Sequence, residues 1–201
     1  IGILGILCSC SVQKFIPEGE YMLDEVNIVS DTKVVHPDLF YTYIRQNPNG
    51  KWFNLLRVPV GIYCLSGQDS TKAINRFWRK LGDEPVIYDP MGAMKSRKEI
   101  EKAVRNMGYM RAEVSLDTIV HNRKLKLSYN IKAGRPYVVR HIAYNVDDMV
   151  IYDHIEKDSV NSYLSPGMVF DVAALDSERQ RITKLLQDNG YYKFNKDFLV
   201  Y

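Results

Sequence analysis

The chain has 201 residues, 46% of them hydrophobic and 25% charged, with a formal net charge of +3. This is an ordinary globular balance, long enough for one large domain or two small ones. So small a positive excess does not imply a nucleic-acid partner, and with no apolar run of 18 residues there is no candidate membrane-spanning helix.

The first residues, Ile1-Gly2-Ile3-Leu4-Gly5-Ile6-Leu7-Cys8-Ser9-Cys10, are apolar and small. Residues 1–9 read as the remnant of a lipoprotein signal peptide. Leu7-Cys8-Ser9-Cys10 resembles a bacterial lipobox, in which Cys10 is the residue acylated after cleavage. The alternative is a buried first strand. Residues 10–19 are polar, hold Pro17 and Gly19, and read as a tether.

Alternating apolar and polar residues over 21–30 predict a strand, with Leu23 and Val29 departing from the pattern. His36-Pro37-Asp38 opens a predicted helix through about Gln46, which Asn47-Pro48-Asn49-Gly50 ends. An apolar insertion follows over about 51–89. It begins with Trp52, Phe53, Leu55 and Leu56 and carries a predicted helix after Gly67, on which Ile74, Phe77, Trp78 and Leu81 step as a core stripe. The insertion either packs against its own unit or makes a partner or membrane-surface contact.

The next helix occurs twice. Aligning Gly108 with Gly190 places Ile100 on Ile182, Val104 on Leu186 and Tyr109 on Tyr191. Each copy carries the three-and-four spacing of an amphipathic helix. Ser96 with Glu99, and Ser177 with Gln180, predict capping boxes at the helix starts. Gly108 and Gly190 predict left-handed stops. After the first copy comes a predicted hairpin: a strand over 112–120, a His121-Asn122 turn, and a strand over 123–133. After Gly134 the pattern restarts with a predicted strand over 137–145, a weaker helix from about Val150 to Leu164, the second helix copy and one strand after Gly190. The second unit lacks a counterpart of 123–133 and reads as cropped.

Motifs of catalysis are missing. His36, His121, His141 and His154 stand beside no convincing nucleophile, Asp147-Asp148 reads as a turn or helix cap, and no Gly-rich phosphate loop or zinc-type Cys/His spacing occurs. The reading is non-enzymatic, with no catalytic residue, metal or cofactor.

The order strand, helix, helix, strand, strand resembles a POTRA domain. The resemblance is carried by Cys10, Pro17-Glu18-Gly19-Glu20-Tyr21, Trp78-Arg79-Lys80-Leu81-Gly82, Glu84-Pro85-Val86-Ile87-Tyr88, Asn106-Met107-Gly108-Tyr109, Ala133-Gly134-Arg135-Pro136-Tyr137 and Asp188-Asn189-Gly190-Tyr191. Tandem units of this kind resemble the periplasmic part of BamA/TamA-type outer-membrane assembly proteins, and a lipobox ahead of them resembles the lipoprotein variant TamL. The resemblance implies an α+β fold of tandem β-α-α-β-β units, each a small mixed sheet covered by two helices. Unit 1 would span 20–134 and an incomplete unit 2 would span 135–201. It also implies a periplasmic segment anchored to outer-membrane lipid through Cys10, with further domains and a membrane β-barrel downstream. The implied partners are unfolded outer-membrane protein clients or subunits of an envelope assembly complex, and not nucleic acid.

In that arrangement the strand after the second helix lies at a sheet edge. Here it comprises Ala112, Glu113, Val114, Ser115, Leu116, Asp117, Thr118, Ile119 and Val120. Clients would add a strand there by β-augmentation. Val114, Leu116 and Val120 are expected to face inward, and a proline at Ser115 or Asp117 is expected to remove a pairing N–H. The alternative function is a scaffold that only docks other subunits.

Overall fold

In a computed structural model of the chain, the structure describes residues 12–51, 58–67, 69 and 71–201. Cys8, Cys10, Trp52, Phe53, Leu55 and Leu56 lie outside the described residues. The fold is α+β. The chain divides into two compact units, Ile1–Ile100 with Glu113–Lys132, and Glu101–Ala112 with Ala133–Tyr201.

The first unit is built on a three-stranded mixed sheet of β1 (Met22–Ser30), β2 (Glu113–His121) and β3 (Lys124–Lys132), in the order β1-β3-β2. β3 runs parallel to β1 and antiparallel to β2. Leu125, Leu127, Tyr129 and Ile131 alternate along β3 and are all buried, as a central strand with one covered face requires. The irregular pattern at Leu23 has a local cause. The register slips between Leu23 and Glu25, so Asp24 is an extra residue. A bulge of this kind reverses which side chains face inward, so Leu23 and Val26 are both buried although three apart. Met22 is buried in a separate cluster with Val12, Ile16, Val60 and Cys64.

Between β1 and β2 lie the helices α1 (Val58–Cys64), α2 (Ala73–Leu81) and α3 (Pro90–Asn106). The helix expected after His36 is a 3-10 helix, Pro37–Tyr43, which buries Phe40. On α2 the expected core stripe faces outward: Ile74, Phe77 and Leu81 are 58%, 54% and 56% exposed, and the buried residue is Asn75. Neither expected capping box forms. α3 starts at Pro90, with the Asp89 carboxylate accepting from the Met91 N–H at 2.9 Å. Ser96 therefore sits inside the helix, buried, where its Oγ accepts from the Arg45 N–H at 3.0 Å. Asp before Pro is itself a start signal, and it lies about two turns upstream of the one chosen from the serine.

The hairpin turn is Asn122-Arg123, one residue later than expected. Both residues have positive φ, 49° and 59°, as a two-residue turn matching strand twist requires. Arg123 carries no sequence signal for this conformation. Its guanidinium bonds the carbonyls of Gln13 and Pro17.

The second unit contains α4 (Met149–Lys157) and α5 (Val172–Asp188). Asp148 caps α4, accepting from the N–H groups of Val150 and Ile151, and Asp171 caps α5 through Ala173. Ser177 is thus interior to α5 as Ser96 is to α3. Ile155, Ile182 and Leu186 form the apolar centre, with Tyr144, Val146, Tyr191 and Phe194 packed on it. The strands expected over 137–145 and after Gly190 are not formed. Val138 makes a single bridge with Val169, supported by bonds between Val139 and Met168 and between Phe170 and Tyr137. Beyond Gly190 the chain turns into a 3-10 helix, Lys196–Phe198. Among the described residues no third segment continues a ladder here, and an isolated bridge cannot sustain a strand.

A buried ion cluster ties this unit together. Glu178 is fully buried on α5. Its carboxylate accepts from Arg181 Nη2 at 2.7 Å, the Tyr144 hydroxyl at 2.9 Å and the Tyr163 N–H at 2.9 Å. Arg181 also pairs with Asp158. Burial works to raise the Glu178 pKa, but the bonds from Arg181, Tyr163 and Tyr144 outweigh it and hold the carboxyl below the ordinary glutamate range.

Glu178→Ala leaves Arg181 buried with part of its charge unmatched and should destabilise the second unit by about 3–5 kcal/mol, read by chemical denaturation. Because the folded-state pKa is lowered, the Glu178 contribution should be complete above the unfolded glutamate value of about 4.3 and be lost as pH falls through the folded value. The two glycine stops differ in what surrounds them. Gly108 and Gly190 have φ of +94° and +99°, yet a Cβ at Gly108 falls on the Phe170 carbonyl oxygen whereas one at Gly190 meets nothing. Gly190→Ala should cost about 1 kcal/mol or slightly more from its backbone alone, and Gly108→Ala clearly more, measured as a difference in melting temperature.

Candidate functional site

β2 lies at one edge of the sheet. The opposite edge, β1, is partly covered: the Leu23 N–H bonds the Val86 carbonyl at 2.7 Å, and the Tyr88 N–H bonds the Tyr21 carbonyl at 2.8 Å. The register of the hairpin decides which β2 groups are open. His121 pairs with Lys124 across a two-residue turn, which makes them a hydrogen-bonded pair. In an antiparallel ladder such pairs alternate with non-bonded ones. Asp117 and Ser115 therefore point their backbone groups toward β3, at Ser128 and Asn130. Leu116, Thr118 and Val120 point theirs outward. β3 agrees with this parity, since Arg123 and Ile131 turn their carbonyls toward the β1 side, accepting from Met22 and Asp31.

The outward positions are not equally open. Arg97 on α3 donates to the Val114 carbonyl at 3.1 Å, and Arg105 donates to the Ala112 carbonyl at 3.2 and 3.3 Å. For Leu116, Thr118 and Val120, no outward partner is found among the described residues. The available edge is therefore narrower than the predicted strand and confined to 116–120.

Side-chain burial divides the strand at the same place. Ala112 and Val114 are buried and Leu116 is partly buried, as the alternation predicts. Val120 lies on the same face yet is 46% exposed, and Ile119 on the other face is 67% exposed. Val120 stands opposite buried Leu125, but β3 has strands on both sides and β2 has one on one side only. The sheet face away from the core is polar apart from exposed Ile119 and Val29. Lys126 Nζ pairs with Glu25 at 2.8 Å, and the bonds from Lys126 and Asn27 hold the Glu25 carboxyl below its usual range. Glu113, Ser115 and Asp117 point to that face and discourage indiscriminate pairing.

The other predicted positions are dispersed. The Cys10 lipidation site and the apolar group Trp52, Phe53, Leu55 and Leu56 lie outside the described residues. Of the histidines, His36 precedes the 3-10 helix, His121 ends β2, His141 is exposed and His154 packs edge-on to Tyr191. Among the described residues no group of three His, Cys, Asp or Glu side chains has the geometry of a metal site, and no helix is long and apolar enough to cross a membrane. The predicted strand did not reveal the two arginines that cap its first outward carbonyls. Their signal was the spacing of Arg97 and Arg105 on one helix.

No family model matches the chain, and no curated protein matches it. Among solved structures, it is similar to POTRA1-2 of the periplasmic domain of Omp85 from Anabaena, with 14% identity over 89% of this chain and 86% of that one, at a TM-score of 0.38. It is also similar to POTRA3-5 of BamA from Haemophilus influenzae, with 10% identity over 89% and 90% of the two chains, at a TM-score of 0.29. The architecture rests on the sheet described above.

The parity of β2 corrects the expected proline sites. Ser115 and Asp117 donate into the sheet, so proline there removes a ladder bond. Ser115→Pro should leave an Asn130 acceptor unpaired and cost about 1–3 kcal/mol or more in chemical denaturation. Thr118→Pro removes an outward N–H and should cost about 1 kcal/mol or less.

Proposed function

We propose that the chain is a POTRA-type periplasmic segment of a BamA/TamA-like outer-membrane assembly factor, and that it holds extended client chains by β-augmentation on β2. The carrying observation is the open backbone of Leu116, Thr118 and Val120, on an edge strand whose other outward carbonyls are already occupied by Arg97 and Arg105. The β-α-α-β-β sequence pattern supports the POTRA reading. The mixed sheet with β3 between β1 and β2 is consistent with it.

A client strand laid along 116–120 exchanges water for backbone bonds, each contributing about 1 kcal/mol net. Against this stands the cost of ordering the client, so capture is weak and reversible. Such a bond pattern reads backbone and not side chains, which suits a factor that handles many sequences. Exposed Ile119 and Val120 add apolar contact without selecting a particular residue. The segment is non-enzymatic in this reading. Cys10 anchors it to the outer membrane, and acylated Cys10 should be found by mass spectrometry of the native amino terminus.

Binding of an extended peptide from an outer-membrane barrel strand, followed by fluorescence anisotropy, tests the edge. Thr118→Pro should weaken binding about fivefold to tenfold, the equivalent of roughly 1 kcal/mol or slightly more. Thr118→Ala should leave it unchanged. Equal affinity for the folded proline variant and the parent would remove β-augmentation at this strand and leave a scaffold that docks other subunits.

A further inference from the structure

Helix α2 is amphipathic in the reverse sense. Its polar side is fastened inward. Asn75 Oδ1 accepts from the Gly67 N–H at 2.9 Å and its Nδ2 donates to the Asp69 carbonyl at 2.7 Å. One turn on, Arg79 donates to Ser66 Oγ at 3.3 Å and the Gly67 carbonyl at 3.0 Å, and its guanidinium lies over the rings of Phe15 and Tyr63 at 5.8 and 5.7 Å. Gly82 closes the helix where a Cβ would meet the backbone of Pro59 and Tyr63. Asn75 and Arg79, four residues apart, thus define the inner face. At about 100° per residue, Ile74, Phe77 and Leu81 fall on the outer face, and all three are more than half exposed. Trp78 flanks them, its ring 5.5 Å from that of Phe77.

One border of this apolar face is cationic. Arg76 and Lys80 follow it on the side away from Trp78, Lys72 precedes the helix, and no acidic residue lies between Ala73 and Leu81. Arg76 and Lys80 enter no ion pair among the described residues. An apolar stripe of Ile, Phe and Leu with a Trp beside it and Lys/Arg along its margin matches an interfacial helix that lies in a headgroup layer. A second copy of the same helix would bring like charges together, whereas an anionic bilayer surface complements both the stripe and its border. We propose that α2 docks the first unit onto an anionic phospholipid surface, with Ile74, Phe77 and Leu81 entering the acyl boundary and Arg76 and Lys80 meeting lipid phosphates. This contact is separate from the β2 edge and does not depend on Cys10.

Trp78 reports on the docking directly. In the full chain carrying Trp52→Phe and Cys10→Ala, Trp78 is the sole tryptophan. Its emission should shift to the blue with vesicles of phosphatidylglycerol mixed with phosphatidylcholine, and the shift should shrink with added salt and with phosphatidylcholine alone. Phe77→Ser with Leu81→Ser, and separately Arg76→Glu with Lys80→Glu, should each weaken the vesicle titration by about tenfold or more. All four positions are solvent-facing, so the circular dichroism of both variants should match the parent, and peptide binding at β2 should be unaffected. An unshifted Trp78, a titration indifferent to lipid charge, or equal binding by either double variant would overturn the proposal. A dimer in sedimentation velocity that the Phe77→Ser, Leu81→Ser variant abolishes would assign the face to a second copy and overturn it equally.

Discussion

β3 is bonded on both sides, and a strand can do this only by giving alternate residues to each neighbour. Arg123 and Ile131 turn toward β1, and Lys124 to Lys132 in steps of two turn toward β2. From that division follows much of the first unit. The same parity fixes which side chains of β3 are buried, which residues of β2 are engaged, and which backbone groups of β2 remain for another chain. The Asn122-Arg123 turn sets it, because a two-residue loop with both φ positive allows one register. A slip of one residue would move Leu125, Leu127, Tyr129 and Ile131 to the solvent side.

The second unit uses a different organising device. Its extended segments share one bridge, so no ladder orders them. Instead the carboxylate of Glu178 gathers a helix neighbour, a tyrosine hydroxyl and a loop N–H, while Arg181 reaches Asp158 beyond α4. Such a cluster is costly to bury and demanding in geometry. With every partner in place it specifies where α5 meets the loop at Tyr163, which a purely apolar contact among Ile155, Ile182 and Leu186 would define less sharply.

The two candidate surfaces of the first unit offer opposite chemistries. At β2 the backbone itself is available, and charged or polar neighbours keep the edge from pairing indiscriminately. At α2 the backbone is satisfied within the helix and side chains are displayed. Asn75 and Arg79 satisfy the loop behind the helix, which leaves its apolar side nowhere to go but outward. Large exposed apolar patches mark contact surfaces.

The sequence alone determined the α+β class, the hairpin, the repeat of a helix ending in glycine, and the edge position of β2 as a resemblance. These are legible because burial periodicity and left-handed glycine are local: Ile100, Val104, Ile182 and Leu186 are buried, and Gly108 and Gly190 have positive φ. Tertiary structure decided what depends on a partner distant in the chain. Ser96 left its capping role because Asp89 starts the helix earlier and the Arg45 N–H needs an acceptor. The stripe on α2 had the spacing of a core helix, but periodicity cannot tell which face meets the protein, and the bonds of Asn75 and Arg79 chose the polar one. Likewise, alternation along β2 names two faces but not which N–H groups point away from β3. That came only from pairing His121 with Lys124, because backbone direction is a property of the ladder and not of the strand.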